Sequence, residues 1–207
     1  MGQTAKTTDA KVLDITFDLV WQRGCDAVSI RDLEVALDIR APSIYRRFHS
    51  RDQLLAAAID RYVDKIIRQR IRQFLIDADD PLDGIRQYYL SNTEVEFQSL
   101  ARRGCLLVST SQQTAFKIPV IREAVTRGFN EMESALAAAI DRAAAQGHQF
   151  QCAADELALA LTQSHIGFLV LMRSGKDGLD AAMTVALDAL LGPQNLGTRK
   201  SAAAKLK

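Results

Sequence analysis

Hydrophobic positions recur at helical spacing along most of the chain, and polar residues between them fall where helices start and stop. Val12, Leu13, Ile15, Phe17, Leu19 and Val20 give a first helix a wide apolar face, opened by Thr7 or Thr8 and ended at Gly24. Ser29 followed by Asp32 is a capping-box start, and Val28 with Leu33 has the spacing of a hydrophobic staple, so a short helix is predicted over Ile30–Leu37. A second short helix over 41–47 follows after a few residues, with Pro42 tolerated in its first turn, where a missing N–H has no intrahelical partner. Ser50 and Gln53 form another capping box. The helix they open carries Leu55, Ile59, Tyr62 and Ile66 on one stripe and Val63, Ile67, Ile71 and Phe74 beside it, which predicts a long rod reaching about Ile76 and broken by residues 77–80.

Pro81 then starts a helix with Leu82, Ile85, Tyr88 and Tyr89 on its apolar side, predicted to about residue 99. Asn92, Thr93 and Gln98 interrupt its pattern, as they would beside a cavity or in solvent. A short helix begins at Gly104-Cys105-Leu106-Leu107. Next comes a long one over 120–145, with Ile121, Val125, Phe129, Met132, Leu136 and Ile140 at helical spacing. Residues 154–173 are apolar on more than one face, and a turn over 175–178 leads to a last helix with Leu179, Met183, Ala186, Leu187 and Leu190, stopped by Gly192-Pro193. A helix hydrophobic nearly all round has to be covered by its own domain and by a second subunit. Leu157, Leu161, Phe168, Met172, Met183, Leu187 and Leu190 are therefore assigned to a homodimer interface. No strand pattern or repeat appears. The expected fold is all-α with about nine helices. It comprises an N-terminal three-helix helix-turn-helix domain over 1–50, a larger helical dimerisation domain over 51–192, and a disordered basic tail over 193–207.

Charge changes the picture only locally. Lys and Arg total 26 against 25 Asp and Glu, so the overall balance says nothing about nucleic acid. Between residues 40 and 51, however, RAPSIYRRFHSR holds four arginines and no acid, the footprint of a phosphate-facing element. A helical hairpin with a solvated basic face is the competing reading. Cys25, Cys105 and Cys152 are odd in number and far apart, fit neither a disulfide framework nor a zinc spacing, and suit a reducing cytoplasm. No charged segment with an apolar core precedes residue 30, so no signal peptide is expected. The longest uncharged stretch, 157–172, is too short for a membrane span and has Thr162, Gln163, Ser164 and His165 at its middle.

The run from Val12 to Tyr62 resembles the N-terminal DNA-binding domain of the tetracycline-repressor-like (TetR) family of bacterial transcription regulators. The matching elements are the first helix with its stop at Arg23-Gly24, the Ser29-Ile30-Arg31-Asp32-Leu33 start, the Ser43-Ile44-Tyr45-x-x-Phe48 pattern and the Ser50-Arg51-Asp52-x-Leu54 entry. The resemblance implies that Ser43, Tyr45 and Arg47 face the groove or flanking phosphates, that Ser29 sits at a phosphate-contacting helix start, and that Arg51 takes the place of the family's usual lysine. With Arg40 and Arg46 from the acid-free window, these form the expected DNA-binding set, while Ile44 and Phe48 are structural. Two positions depart from the pattern. Asp38 stands where glycine is usual, and Asp enters the left-handed region more readily than most residues. Arg40 replaces a serine or threonine cap, which weakens the start of the recognition helix by roughly 1 kcal/mol. Beyond the first sixty or so residues the similarity is to the family's general plan, a helical regulatory domain whose last two helices pair across a dimer. The partners implied are a palindromic double-stranded DNA operator, a small-molecule effector that releases the repressor, and a second copy of the chain.

No catalytic constellation, phosphate-binding loop or metal-ligand spacing is found, so no enzyme activity, cofactor or metal is expected. An enzyme or interaction protein on a helical scaffold remains the remote alternative. Tyr62, Tyr88, Tyr89, Cys105, Phe129, His165 and Phe168 are candidates to line an effector cavity of the mostly apolar kind, and core packing is the competing reading for each. Cys105 follows Arg102 and Arg103 at a helix start, an arrangement that favours thiolate. Gly104-Cys105-Leu106-Leu107 also resembles a signature of one branch in which some relatives sense electrophiles or oxidants. A thiol-sensing repressor and a buried, inert cysteine are both open at this point.

Overall fold

The computed structural model describes residues 8–93 and 103–192. The basic tail over 193–207, Arg102 and the end of the helix expected to reach residue 99 lie outside the described residues. Nine helices and no strand stand among those residues when the continuous run over 51–76 is taken as one and the short 3-10 turns over 91–93 and 114–117 are set aside. They are α1 (Asp9–Arg23), α2 (Ile30–Leu37), α3 (Ala41–Phe48), the rod beginning with α4 (Arg51–Tyr62), α5 (Pro81–Leu90), α6 (Leu106–Ser111), α7 (Pro119–Ala145), α8 (Ala154–Arg173) and α9 (Leu179–Leu191).

Local chemistry sets most of the starts. Thr8 accepts from the Lys11 N–H, Ser29 and Asp32 form the reciprocal box, Ser50 accepts from the Gln53 N–H at 3.1 Å, and Asp80 accepts from Leu82 and Asp83 with Pro81 behind it. Asp38 adopts the left-handed conformation after α2, with φ 52° and ψ 42°. Arg40 makes no side-chain cap on α3, yet the start is not left open, because Glu34 Oε1 accepts from the Ala41 N–H at 2.6 Å. The acid of the preceding helix offsets the weakness read from Arg40 alone.

The rod has the expected extent but not the expected regularity. It is π-helical over Val63–Ile67 and again over Ile71–Ile76, with one α turn between. Hydrogen bonding from i to i+5 admits an extra residue per turn, which keeps Val63, Ile67, Ile71 and Leu75, spaced by four, on the buried side. The rod lies between α1 and α7, α8 packs on α7, and α9 closes back onto α5. Gly84 allows α5 to cross the rod's end closely, since a Cβ there would stand 2.2 Å from the Phe74 carbonyl oxygen. Arg86, also on α5 and buried, pairs with Asp188 at 2.7 Å and donates to the Gly192 carbonyl, which fixes the end of α9. One core runs without interruption from Val12 and Leu33 through Leu55 and Ile59 to Leu136 and Leu187, so the N-terminal helices and the rest of the body share a floor.

Candidate functional site

The basic window folds onto and around α3. Ile44 is buried under that helix, which leaves Arg40, Tyr45 and Arg46 exposed and Ser43 half-buried. Arg46 reaches Ser43 Oγ at 3.4 Å, and neither Arg40 nor Arg46 has an ion pair among the described residues. Arg31 on α2 is exposed in the same way and was missed in the sequence because it lies outside the acid-free run. The two remaining arginines point inward, a correction to their expected role. Arg47 donates through Nε to Asp9 of α1 at 2.7 Å and lies over the Phe48 ring. Arg51 donates to the carbonyls of Val28, at 2.7 Å, and Cys25, and pairs with Asp52. The place of the usual lysine is thus taken by a planar fork that can hold two carbonyls at once. Arg51→Ala is expected to lower stability by about 2 kcal/mol, since hydrogen bonds to a charged group carry roughly that much. Arg51→Lys, with one compact ammonium, should recover less than half of it in urea unfolding.

The α1–α2 connection is latched to the segment after α6. Asp26 accepts from the N–H groups of Thr114 at 2.8 Å and Ala115 at 2.7 Å, while its own N–H donates to Gln113 Oε1. Cys25 lies 3.7 Å from the Thr110 hydroxyl, and burial pushes its thiol pKa up. The open groove beside this latch, about 810 Å³, brings the exposed Lys117 to the same surface as Ser29 and Tyr45.

Further into the body, Tyr62, Tyr88, Cys105 and His165 wall a cavity of about 50 Å³, together with Trp21 of α1. Tyr89 stands behind His165, edge to face at 4.9 Å. Phe129 and Phe168 are not among the lining residues. Phe129 is half-buried against the core and Phe168 is absorbed within it. His165 lies in the protomer's own core, and its buried Nδ1 has no hydrogen-bond partner among the described residues. Burial first, and the nearby Arg70 charge second, lower its pKa to about 3. Cys105 sits in surroundings that disfavour the thiolate expected from sequence. Burial raises its thiol pKa, the Tyr62 hydroxyl lies 3.8 Å from the sulfur, and Arg103 turns away to lie over the Trp21 ring and pair with Asp18.

Residues 12–58 match the family described as bacterial regulatory proteins, tetR family. The N-terminal part of the chain, residues 12–58, is a TetR-family domain. The chain is 26% identical over 97 residues to the HTH-type transcriptional repressor ComR of Escherichia coli (strain K12), an alignment spanning 47% of this chain and 46% of that relative. The chain therefore aligns with less than half the length of this curated relative. Among solved structures, it resembles a cysteine mutant of the TetR family transcriptional regulator CifR complexed with 26-bp double-strand operator DNA. The TM-score is 0.77 and the identity 25%, with 90% of this chain and 99% of that one covered. The reduced form of E. coli NemR has the same fold, with a TM-score of 0.74 at 20% identity over 89% of this chain and 96% of that chain.

The interface residues read from α8 and α9 require correction. Leu157, Leu161, Phe168, Met183 and Leu187 are buried within the protomer, and Met172 and Leu190 are half-buried. Both helices carry two apolar faces, and the protomer's core takes the one with the larger side chains. The outward face holds Leu159, Val170 and Leu171 on α8 and Val185 on α9, which make four of the seven exposed large hydrophobic residues among those described. No helix among the described residues is long and apolar enough to cross a membrane.

Proposed function

We propose that this chain is a homodimeric, sequence-specific transcriptional repressor of the TetR family that leaves its operator when a small molecule enters the cavity walled by Tyr62, Tyr88 and His165. Residues 1–50 read DNA, residues 51–192 hold the effector and dimerise, and the protein works in the cytoplasm. The observation that carries this reading is the placement of the exposed Arg40, Tyr45 and Arg46 at one end of a rod whose continuation walls the cavity. The operator complex of CifR and the repressor role of ComR support it by similarity.

A single helix-turn-helix reads few base pairs, so two heads spaced by a dimer are needed to recognise a palindrome. The outward face of α8 and α9 supplies the surface for that pairing, replacing the residues first assigned from sequence. The test is binding to palindromes from the region upstream of its own gene, measured by fluorescence anisotropy across a salt series. Arg40→Ala and Arg46→Ala should each reduce the slope of log affinity against log salt by about 0.9, the contribution of one phosphate contact. Ser43→Ala should alter sequence preference. Unchanged slopes in both arginine variants would overturn the assignment of α3 as the recognition helix.

A further inference from the structure

Resting on the effector reading above, we propose that the cavity takes an uncharged, planar molecule of about one ring bearing a hydroxyl or carbonyl group, and that this ligand acts on the DNA-binding head directly through Trp21. Several independent observations converge on that chemistry. Four of the twelve lining residues carry rings, Trp21, Tyr62, Tyr88 and His165, and rings of this kind pack well against another flat π-system. His165 supplies one buried polar atom, Nδ1, without a partner. Buried polar groups are otherwise hydrogen-bonded almost without exception, and a hydroxyl can meet either imidazole tautomer, while a carbonyl meets the one that carries the proton. Burial keeps that imidazole neutral, and the same burial penalises a charged ligand. A cation is further opposed by Arg70, which lines the cavity. An anion finds the Arg70 guanidinium already donating to the Tyr88 carbonyl and Ser91 Oγ, with its plane between Phe74 and Tyr88.

Size decides how binding is transmitted. The cavity measures about 50 Å³, whereas an apolar cavity of about 150 Å³ is the scale that admits benzene. A ring can enter only by displacing a wall. The rod is clamped between α1 and α7, and His165 and Tyr88 belong to helices packed in the core. Among the lining residues Trp21 alone belongs to α1, the helix tied to α3, and its Nε1 donates to the Gly104 carbonyl at the cavity rim at 2.9 Å. Its ring meets Tyr62 edge to face at 4.9 Å and carries the Arg103 guanidinium at 4.1 Å. A ligand that pushes on this ring loosens α1 from residues 103–104 and shifts the helix to which Arg47 of α3 is tied through Asp9.

Trp21 is the chain's one tryptophan, so its emission reports the event. The experiment titrates the full chain with phenol, benzoate and benzylamine at neutral pH, following tryptophan emission and, in parallel, operator affinity. Phenol should change the emission saturably and weaken operator binding at least tenfold, while benzoate and benzylamine should need at least tenfold higher concentrations. His165→Gln should retain phenol binding more than His165→Leu, which should lose at least tenfold. Trp21→Phe should still bind phenol by calorimetry, but the operator affinity measured with and without phenol should then differ less than twofold. Tighter binding of either charged probe, no saturable response to phenol, or full phenol-driven release in Trp21→Phe would overturn the inference. The probe comparison uses the unsubstituted chain and stands even where a variant misfolds. Failure of that chain to bind any operator without probe would reject the regulator reading itself, whereas operator binding indifferent to phenol would reject only this ligand class.

Discussion

Val185→Glu is expected to yield a soluble monomer whose operator affinity is at least 100-fold lower than that of the unsubstituted chain. Val185 is 69% exposed on α9, so glutamate there disturbs nothing inside the protomer. In a two-fold symmetric interface the same residue is buried twice. Full burial of a valine contributes about 1.5–3 kcal/mol, and a carboxylate placed there instead must be desolvated on both subunits. The loss at the operator follows because binding of the second head is intramolecular in a dimer and bimolecular in a monomer. Leu159→Glu should behave in the same way. Leu187→Glu should not, since Leu187 is fully buried within the protomer, and its replacement should give unfolded or aggregated protein rather than a folded monomer. Light scattering with anisotropy separates these outcomes. A folded, soluble monomer for the unsubstituted chain, or an intact dimer in both Val185→Glu and Leu159→Glu, would remove the proposed interface.

Which features could be read from the sequence depended on the distance over which their causes act. The starts of α1, α2 and α5 and of the rod were legible because Thr8, Ser29, Ser50 and Asp80 each meet a backbone N–H two or three residues away. The acid-free window was equally plain, and it contains the exposed Arg40 and Arg46. It could not separate them from Arg47 and Arg51, whose partners Asp9 and Cys25 lie 38 and 26 residues away. Trp21 was hidden for a related reason. Its spacing marks it as part of the apolar face of α1, and only the approach of Gly104, 83 residues on, makes it a cavity wall. On α8 and α9 the pattern showed that more than one face was apolar, but not which face the protomer would keep. The outer one is recognisable in retrospect by its smaller residues, with Gly167, Ala181, Ala182 and Ala189 beside Val170 and Val185.

Acidification from pH 7 to pH 5 is expected to lower folding stability by about 2 kcal/mol per protomer through His165 alone. In the folded chain, burial and then the Arg70 charge hold its pKa at about 3, whereas in the unfolded chain an imidazole titrates near 6.5. Above pH 6.5 both states are neutral and the contribution to stability is fully present. Below it the unfolded chain binds a proton that the folded chain refuses, so stability falls by about 1.4 kcal/mol per pH unit until the folded pKa is reached. Carboxylates add to this only at lower pH. Asp14, held below the usual range chiefly by its hydrogen bond from Arg61, and Asp32, held there chiefly by Ser29, begin to cost stability near and below their ordinary pKa of about 4. The window from pH 7 to pH 5 therefore isolates the imidazole. Urea unfolding at fixed protein concentration should show the slope in the unsubstituted chain, while His165→Phe, which keeps a ring in the cavity wall but cannot bind a proton, should lose most of it. An equal slope in both proteins would mean that His165 is not held neutral by its surroundings.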